Sequence, residues 1–251
     1  MFSPQGPSLR ELTVQALSSV EHGYDLLAPK FDRTPFRTPD RVLDAVAETL
    51  APLGPFGDGL DVCCGTGAGL RVLAPLCRTV TGVDFSAGMM AAARNAGAAV
   101  GGSGGADMRW VQADVRAMPF TAAFDLAVSF GAFGHFLPAE RPGLFAGVRR
   151  SLRPGGLFAF PVGAPPPVTS PWHWALAGFD AGMRVRNLLW RPPFVMYYRT
   201  FPLAAVRQDL LRAGFLVGTV PLEEFGRRAD GSPRCRLVLA RRPDSPAAEA
   251  R

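Results

Sequence analysis

Lysine is almost missing from this chain: Lys30 stands alone among 27 basic residues, and the rest are arginine. The arginines are scattered among 21 acids, with modest clusters at Arg149-Arg150-Arg153, Arg227-Arg228 and Arg241-Arg242. Clusters of that size suit helix C-termini and solvated faces as well as phosphate backbones, so the formal charge of +6 implies no nucleic-acid partner. Cysteine is scarce too. Cys63 and Cys64 are adjacent, Cys77 and Cys235 lie apart, and no C-x-x-C occurs. That excludes a disulfide framework, and His22, His135 and His173 stand at no ligand spacing with them, so no metal is expected. No apolar run approaches the roughly 20 residues of a membrane span. Met1 to Pro7 lacks a basic region followed by an apolar run, so no secretory signal is expected and the default location is cytoplasmic.

What is present is concentrated in Leu60-Asp61-Val62-Cys63-Cys64-Gly65-Thr66-Gly67-Ala68-Gly69. This reads as a buried strand with an acidic residue near its end, then a glycine-rich turn that opens a helix. Thr79-Val80-Thr81-Gly82-Val83-Asp84-Phe85-Ser86 follows, a second apolar strand capped by a carboxylate. The turn allows backbone to approach a ligand closely, and a carboxylate about 20 residues on accepts from a ribose diol. The dinucleotide fingerprint G-x-G-x-x-G fits poorly, because Leu70 stands at the third glycine and Gly69 is one residue early. Asp61 would also repel a pyrophosphate, whereas it suits a cofactor with a cationic amino group and a sulfonium.

The pattern D-x-x-C-G-T-G followed by G-x-D-x-S-x-x-M resembles the class I S-adenosylmethionine (SAM) methyltransferases, in particular the small-molecule branch that includes quinone-biosynthesis enzymes. The resemblance is good over about residues 40–160 and looser beyond. It implies a doubly wound, mostly parallel seven-stranded α/β sheet, a Rossmann-like methyltransferase fold. It also implies SAM as cofactor, held by Asp61, Cys64, Gly65, Thr66 and Gly67 at the first turn. Asp84 would hold the ribose, with Phe85 and Met89 on the adenine face. Val111-Gln112-Ala113-Asp114-Val115 resembles the next motif, where Asp114 would accept from the adenine amine with Val115 beside it. Ser129 and Phe130 would end strand four under the methionine part. Cys63 departs from the usual glycine or alanine. His135 stands at the rim position where the family often has histidine, a candidate base. Strand four is not followed by Asn/Asp-Pro-Pro-Tyr/Phe or by Pro-Cys, the signatures of base-amine and cytosine-carbon methylation. A small, apolar or aromatic organic acceptor is therefore expected. An RNA methyltransferase and a non-catalytic SAM-binding protein are the alternatives.

The rest of the chain supplies covers for that sheet. Residues 1–37 are expected to form an N-terminal helical lid with a capping box at Ser8-x-x-Glu11; the resemblance implies that Tyr24 and Phe31 close over the cofactor, and packing of the segment by their apolar faces is the other reading. The resemblance implies a methyltransferase domain over residues 38–242. Thr38 is expected to cap a helix running to about Leu53, and further helices are expected from Ala68 to Cys77 and from Ser86 to about Ala98. Gly101 to Gly105 reads as a flexible loop. Strand five, Gly156 to Val162, is followed by an inserted cap at 163–200, where a short aromatic helix begins at Ser170. Trp172, Trp174 and Tyr197 in this cap are candidate acceptor contacts, and His173 is read as packing or acceptor contact. Two antiparallel strands follow a helix at 201–212, and the small polar tail at 243–251 reads as disordered.

Overall fold

In the computed structural model, which describes residues 6–34, 36–100, 105–191, 194–197 and 201–244, the chain opens with a capped helix. Ser8 Oγ accepts from Glu11 N–H and Glu11 returns the bond to Ser8 N–H, which completes the capping box of α1 (Leu9–Leu17). Ser19 Oγ accepts from His22 N–H and caps α2 (Val20–Leu27), and a 3-10 turn, Ala28–Arg33, follows. The next helix, α3 (Asp40–Leu50), starts later than the sequence suggests. Pro39 keeps an extended ψ of 143° and takes the N-cap position, so Thr38 lies outside the helix and caps nothing.

Strands and helices then alternate: β1 (Phe56–Val62), α4 (Ala68–Leu73), β2 (Cys77–Asp84), α5 (Ala87–Val100), β3 (Asp107–Gln112), β4 (Phe124–Val128), α6 (Arg141–Ser151) and β5 (Leu152–Gly163). Helix α4 stops at Leu73 rather than reaching Cys77. Pro75 cannot continue the ladder, and Cys77 already pairs in β2 opposite Phe56. Ser86 Oγ accepts from Met89 N–H and so caps α5 as the sequence predicts. After β5 comes α7 (Pro171–Leu189), capped by Ser170 and 19 residues long, not the short helix expected there. The chain closes with α8 (Leu203–Arg212), β6 (Leu216–Pro221) and β7 (Cys235–Arg241). The glycine loop at 101–104 and the tail at 245–251 lie outside the described residues, as do 192–193 and 198–200 of the cap.

The seven strands form one sheet in the order β3-β2-β1-β4-β5-β7-β6. All described pairings are parallel except those of β7, which runs against both β5 and β6. Strand residues alternate between two apolar layers, as period-two geometry requires. Leu126, Val128, Leu157 and Ala159 pack against α3, α4 and α5, whereas Ala127, Phe158 and Phe160 pack against α6 and α8. The buried pair Arg141–Asp209, 2.8 Å apart, ties α6 to α8. The strand order reverses between β1 and β4. In open α/β sheets the crevice at the carboxyl ends beside such a point takes the ligand.

Candidate active site

A cavity of about 950 Å³ opens at that crevice. Its floor is the turn after β1. Gly65 has φ +53°, and a Cβ there would meet nothing within 4 Å, so the backbone faces open space. Cys63, where the family usually has glycine or alanine, also adopts a left-handed φ of +59°. An L-residue is strained there, by about 1–2 kcal/mol. Cys64 is buried beneath the turn, 3.6 Å from Met90 Sδ. Burial pushes the thiols of both Cys63 and Cys64 well up, so neither is a ready nucleophile.

Asp61 is fully buried behind the turn and is not on the cavity wall. Its carboxylate accepts from the N–H groups of Gly69 and Leu70, at the start of α4. A Cβ on Gly69 would collide with that carboxylate, which explains a glycine one residue early for the dinucleotide fingerprint. Asp61 Oδ2 has no hydrogen-bond partner, and burial followed by the charge of Asp84 pushes the carboxyl up to about 8. Asp84 does reach the cavity. Its Oδ2 accepts from Gly65 N–H at 2.9 Å and its Oδ1 from Ser86 N–H at 3.0 Å, while burial raises its pKa.

Thr66, Gly67, Phe85, Met89, Asp114, Val115 and Phe130 all border the same cavity. Asp114 is held at 2.9 Å by Arg116 Nε. Burial raises its carboxyl, but the Arg116 bonds outweigh that and hold it below the ordinary value. Arg116 reaches on to Glu140, so a charged bridge crosses this end of the wall. Ser129 lies under the floor, where its Oγ donates to Val62 O and ties β4 to β1.

The opposite wall comes from distant segments. Asp25 accepts from Ser86 Oγ at 2.6 Å and from Gly88 N–H at 2.9 Å, which pins α2 to the start of α5. Asp32 accepts from Thr66 Oγ1 at 2.7 Å and pins the following 3-10 turn to the glycine turn. Tyr24 and Phe31 therefore stand on the cavity wall, with ring centroids 6.1 Å apart. His135 faces Tyr24 there. Its Nδ1 lies 2.7 Å from the Val195 carbonyl and its Nε2 lies 2.7 Å from the Tyr24 hydroxyl. A carbonyl only accepts, so Nδ1 carries the proton and Nε2 receives the phenol O–H. Burial lowers the histidine pKa, which keeps the ring neutral. Tyr197 completes this side, its N–H donating to Gly134 O and its hydroxyl accepting from Asn187 of α7. Trp172 and Trp174 are exposed and do not reach the wall, and His173 Nδ1 lies 3.2 Å from Pro166 O.

Residues 60–156 match a family model described as a methyltransferase domain. Over those residues the chain is similar to a methyltransferase domain. An uncharacterized methyltransferase of Synechocystis sp. is 34% identical over 114 residues, 45% of this chain and 49% of its own length. The chain thus spans about half of that curated relative. Among solved structures, an O-methyltransferase family protein from Burkholderia thailandensis superposes with a TM-score of 0.66 at 18% identity, over 94% of this chain and 67% of that one. A magnesium protoporphyrin IX methyltransferase from Synechocystis, solved with bound S-adenosylhomocysteine (SAH), gives 0.54 at 18% identity, covering 80% and 82%. The strand order and the reversed β7 are those of the S-adenosylmethionine-dependent methyltransferase fold. Among the described residues no helix is long and apolar enough to cross a membrane, and no group of three or more candidate side chains could hold a metal.

Several residues that line the cavity or pin its walls carry no signal of their own in the sequence. Asp25, Asp32, Arg116 and Val195 act through contacts 24 to 63 residues away or through backbone atoms, and no local pattern announces such contacts. Arg37 and Arg71, both paired to Asp40, also border the cavity beside the glycine turn.

Proposed function

We propose that the protein transfers a methyl group from SAM to a small, apolar or aromatic organic acceptor. The observation that carries this reading is one cavity shared by the open glycine turn, the Asp84 carboxylate and a neutral histidine–tyrosine pair. The donor set fits the cofactor. Asp84 offers acceptor oxygens for a ribose diol, Asp114 with Val115 offers an acceptor and apolar contact for adenine, and Arg37 and Arg71 offer cations for a carboxylate. When bound, SAM supplies an electrophilic methyl on a sulfonium, and the protein's part is to orient, to exclude water and to manage a proton.

The proton has a defined route. An acceptor O–H or N–H beside Tyr24 gives its proton to the phenol oxygen as the phenol proton passes to His135 Nε2. The resulting imidazolium keeps both N–H groups bonded, to Tyr24 and to the Val195 carbonyl. Aromatic and thioether side chains, among them Phe31, Phe36, Phe130, Phe136, Met196 and Phe201, border the space left for the acceptor. That lining favours a flat apolar ligand.

The test is mass spectrometry of ligand co-purified with the protein, followed by turnover with isotope-labelled SAM and a panel of phenols, amines and carboxylic acids. Labelled methyl on one acceptor class together with SAH supports the reading. A protein that binds no SAM, or binds it and methylates nothing in the panel or in a cell extract, contradicts it.

A further inference from the structure

Helix α7 is held to its own chain by little. Of its 19 residues only Asp180 is buried, although the helix is about 28 Å long. Leu188 is 83% exposed, Leu189 77%, Trp174 66% and Trp172 63%, and Val185 and Trp190 are exposed as well. With an aromatic side chain taken at 150–250 Å², these six expose on the order of 800 Å² around the helix and its end, Trp172 and Trp190 lying off the face described next. The largest apolar patch on a typical monomer is about 300–600 Å², and each partner in a standard interface contributes about 800 Å².

The outward stripe of α7 has a definite pattern. At 100° per residue, Trp174, Ala175, Gly178, Ala181, Gly182, Val185 and Leu189 share one side, all are exposed and none is charged. Large side chains stand at the ends and small ones in the middle. A Cβ on Gly178 or Gly182 would meet nothing within 4 Å. The protomer itself thus gives no reason for glycine at either place, and mid-helix glycine is less stable than alanine. Close approach of another backbone does give a reason.

We infer that α7 packs against α7 of a second copy of this chain, antiparallel across a two-fold axis that passes between Ala181 and Gly182. In that register Trp174 meets Leu189 of the other copy, Val185 fills the space over Gly178, and Ala181 meets Gly182. The surface is self-complementary, as a two-fold interface must be, and it buries no charge. A lipid surface is the competing occupant. It would gain from the tryptophans and leucines, but it leaves the paired glycines unexplained. Through Asn187, which holds Phe194 and Tyr197, the contact would also steady the cap beside the cavity.

The experiment is sedimentation and light scattering of the full chain over a concentration series, for wild type, Gly178→Leu and the double variant Gly178→Leu/Gly182→Leu. A Cβ at either position meets no atom within 4 Å and leucine favours helix over glycine, so the variants should fold with unchanged or higher melting temperature. Wild type should be a dimer at micromolar concentration, and each variant should raise the dissociation constant at least a hundredfold. Ala181→Cys should form an intermolecular disulfide under mild oxidation. A monomeric wild type, a folded double variant that still dimerises with wild-type affinity, or a monomer that sediments with phosphatidylglycerol vesicles would each overturn the inference.

Discussion

At the scale of single residues, the surroundings of three groups, Asp84, His135 and Asp61, set their protonation. Asp84 is the cofactor's proposed ribose ligand and also bonds the Gly65 and Ser86 amides. Asp84→Asn keeps the shape and removes the charge from an acceptor whose bonds are worth about 1.5–3 kcal/mol each. SAM affinity by calorimetry should fall at least tenfold in a folded variant, and an unchanged value would reassign the ribose site. His135 should act as a base until it is protonated, and burial sets that point below the ordinary 6.5. The acid limb of kcat/KM should therefore lie below about pH 6.5. Tyr24→Phe and His135→Gln should each lower kcat by about 10²–10⁴ with SAM affinity held, and the double variant should be little worse than either single one. Fully additive losses would show that the two residues do not share one proton path. Asp61 carries its proton up to about 8 in the folded chain, against 3.8 as its reference. Between those values the folded state binds the extra proton, so its contribution to stability is full at low pH and is lost as pH rises. Urea midpoints of the ligand-free protein should fall from pH 5 to pH 8, and Asp61→Asn, which mimics the neutral carboxyl, should flatten that fall.

At the scale of elements, the segment before the sheet is fixed by carboxylates rather than by apolar packing alone. Asp25 of α2 holds the start of α5 and Asp32 of the following 3-10 turn holds the glycine turn, so together they touch both halves of the cofactor's proposed cradle. Deleting residues 1–37 should abolish turnover, because Tyr24 goes with them, and should also weaken SAM binding in a core that remains folded by circular dichroism. A truncated protein with full activity would remove this segment from the site. Sequence alone shows the regular part of this organisation clearly. The box at Ser8 and Glu11, the start of α5 at Ser86 and the strand runs are local signals, carried by neighbouring residues. Two helix-boundary errors fall at proline. Pro39 delayed α3 by its extended ψ, and Pro75 cut α4 short, so boundaries slipped although the elements were right. The length of α7 was hidden because its outward face mixes apolar and small residues, which blurs a 3.6-residue period.

At the scale of the whole molecule, the sheet order brings together parts that sequence lists far apart: the turn after β1, the end of β2, the loop after β4 and the segment that begins the chain. The floor of the site was legible because glycines and carboxylates at strand ends have little other use. Tyr24, Phe31, His135 and Tyr197 of the wall could be named from the sequence, but not how they meet, because the Tyr24–His135 contact joins residues 111 apart and the His135 ring is held by a carbonyl at Val195 that any residue could supply. Asp61 shows the limit from the other side: its motif position is clear, yet its side chain turns behind the loop to the start of α4. The account stands or falls on one cavity serving both cofactor and acceptor. The most direct measurement is a crystal structure of the full chain with SAH. The expected density has the ribose diol on Asp84, adenine between Phe85 and Asp114, and the sulfur facing the space beside Tyr24 and His135. SAH bound elsewhere, or bound with its sulfur turned away from that pair, would contradict the account.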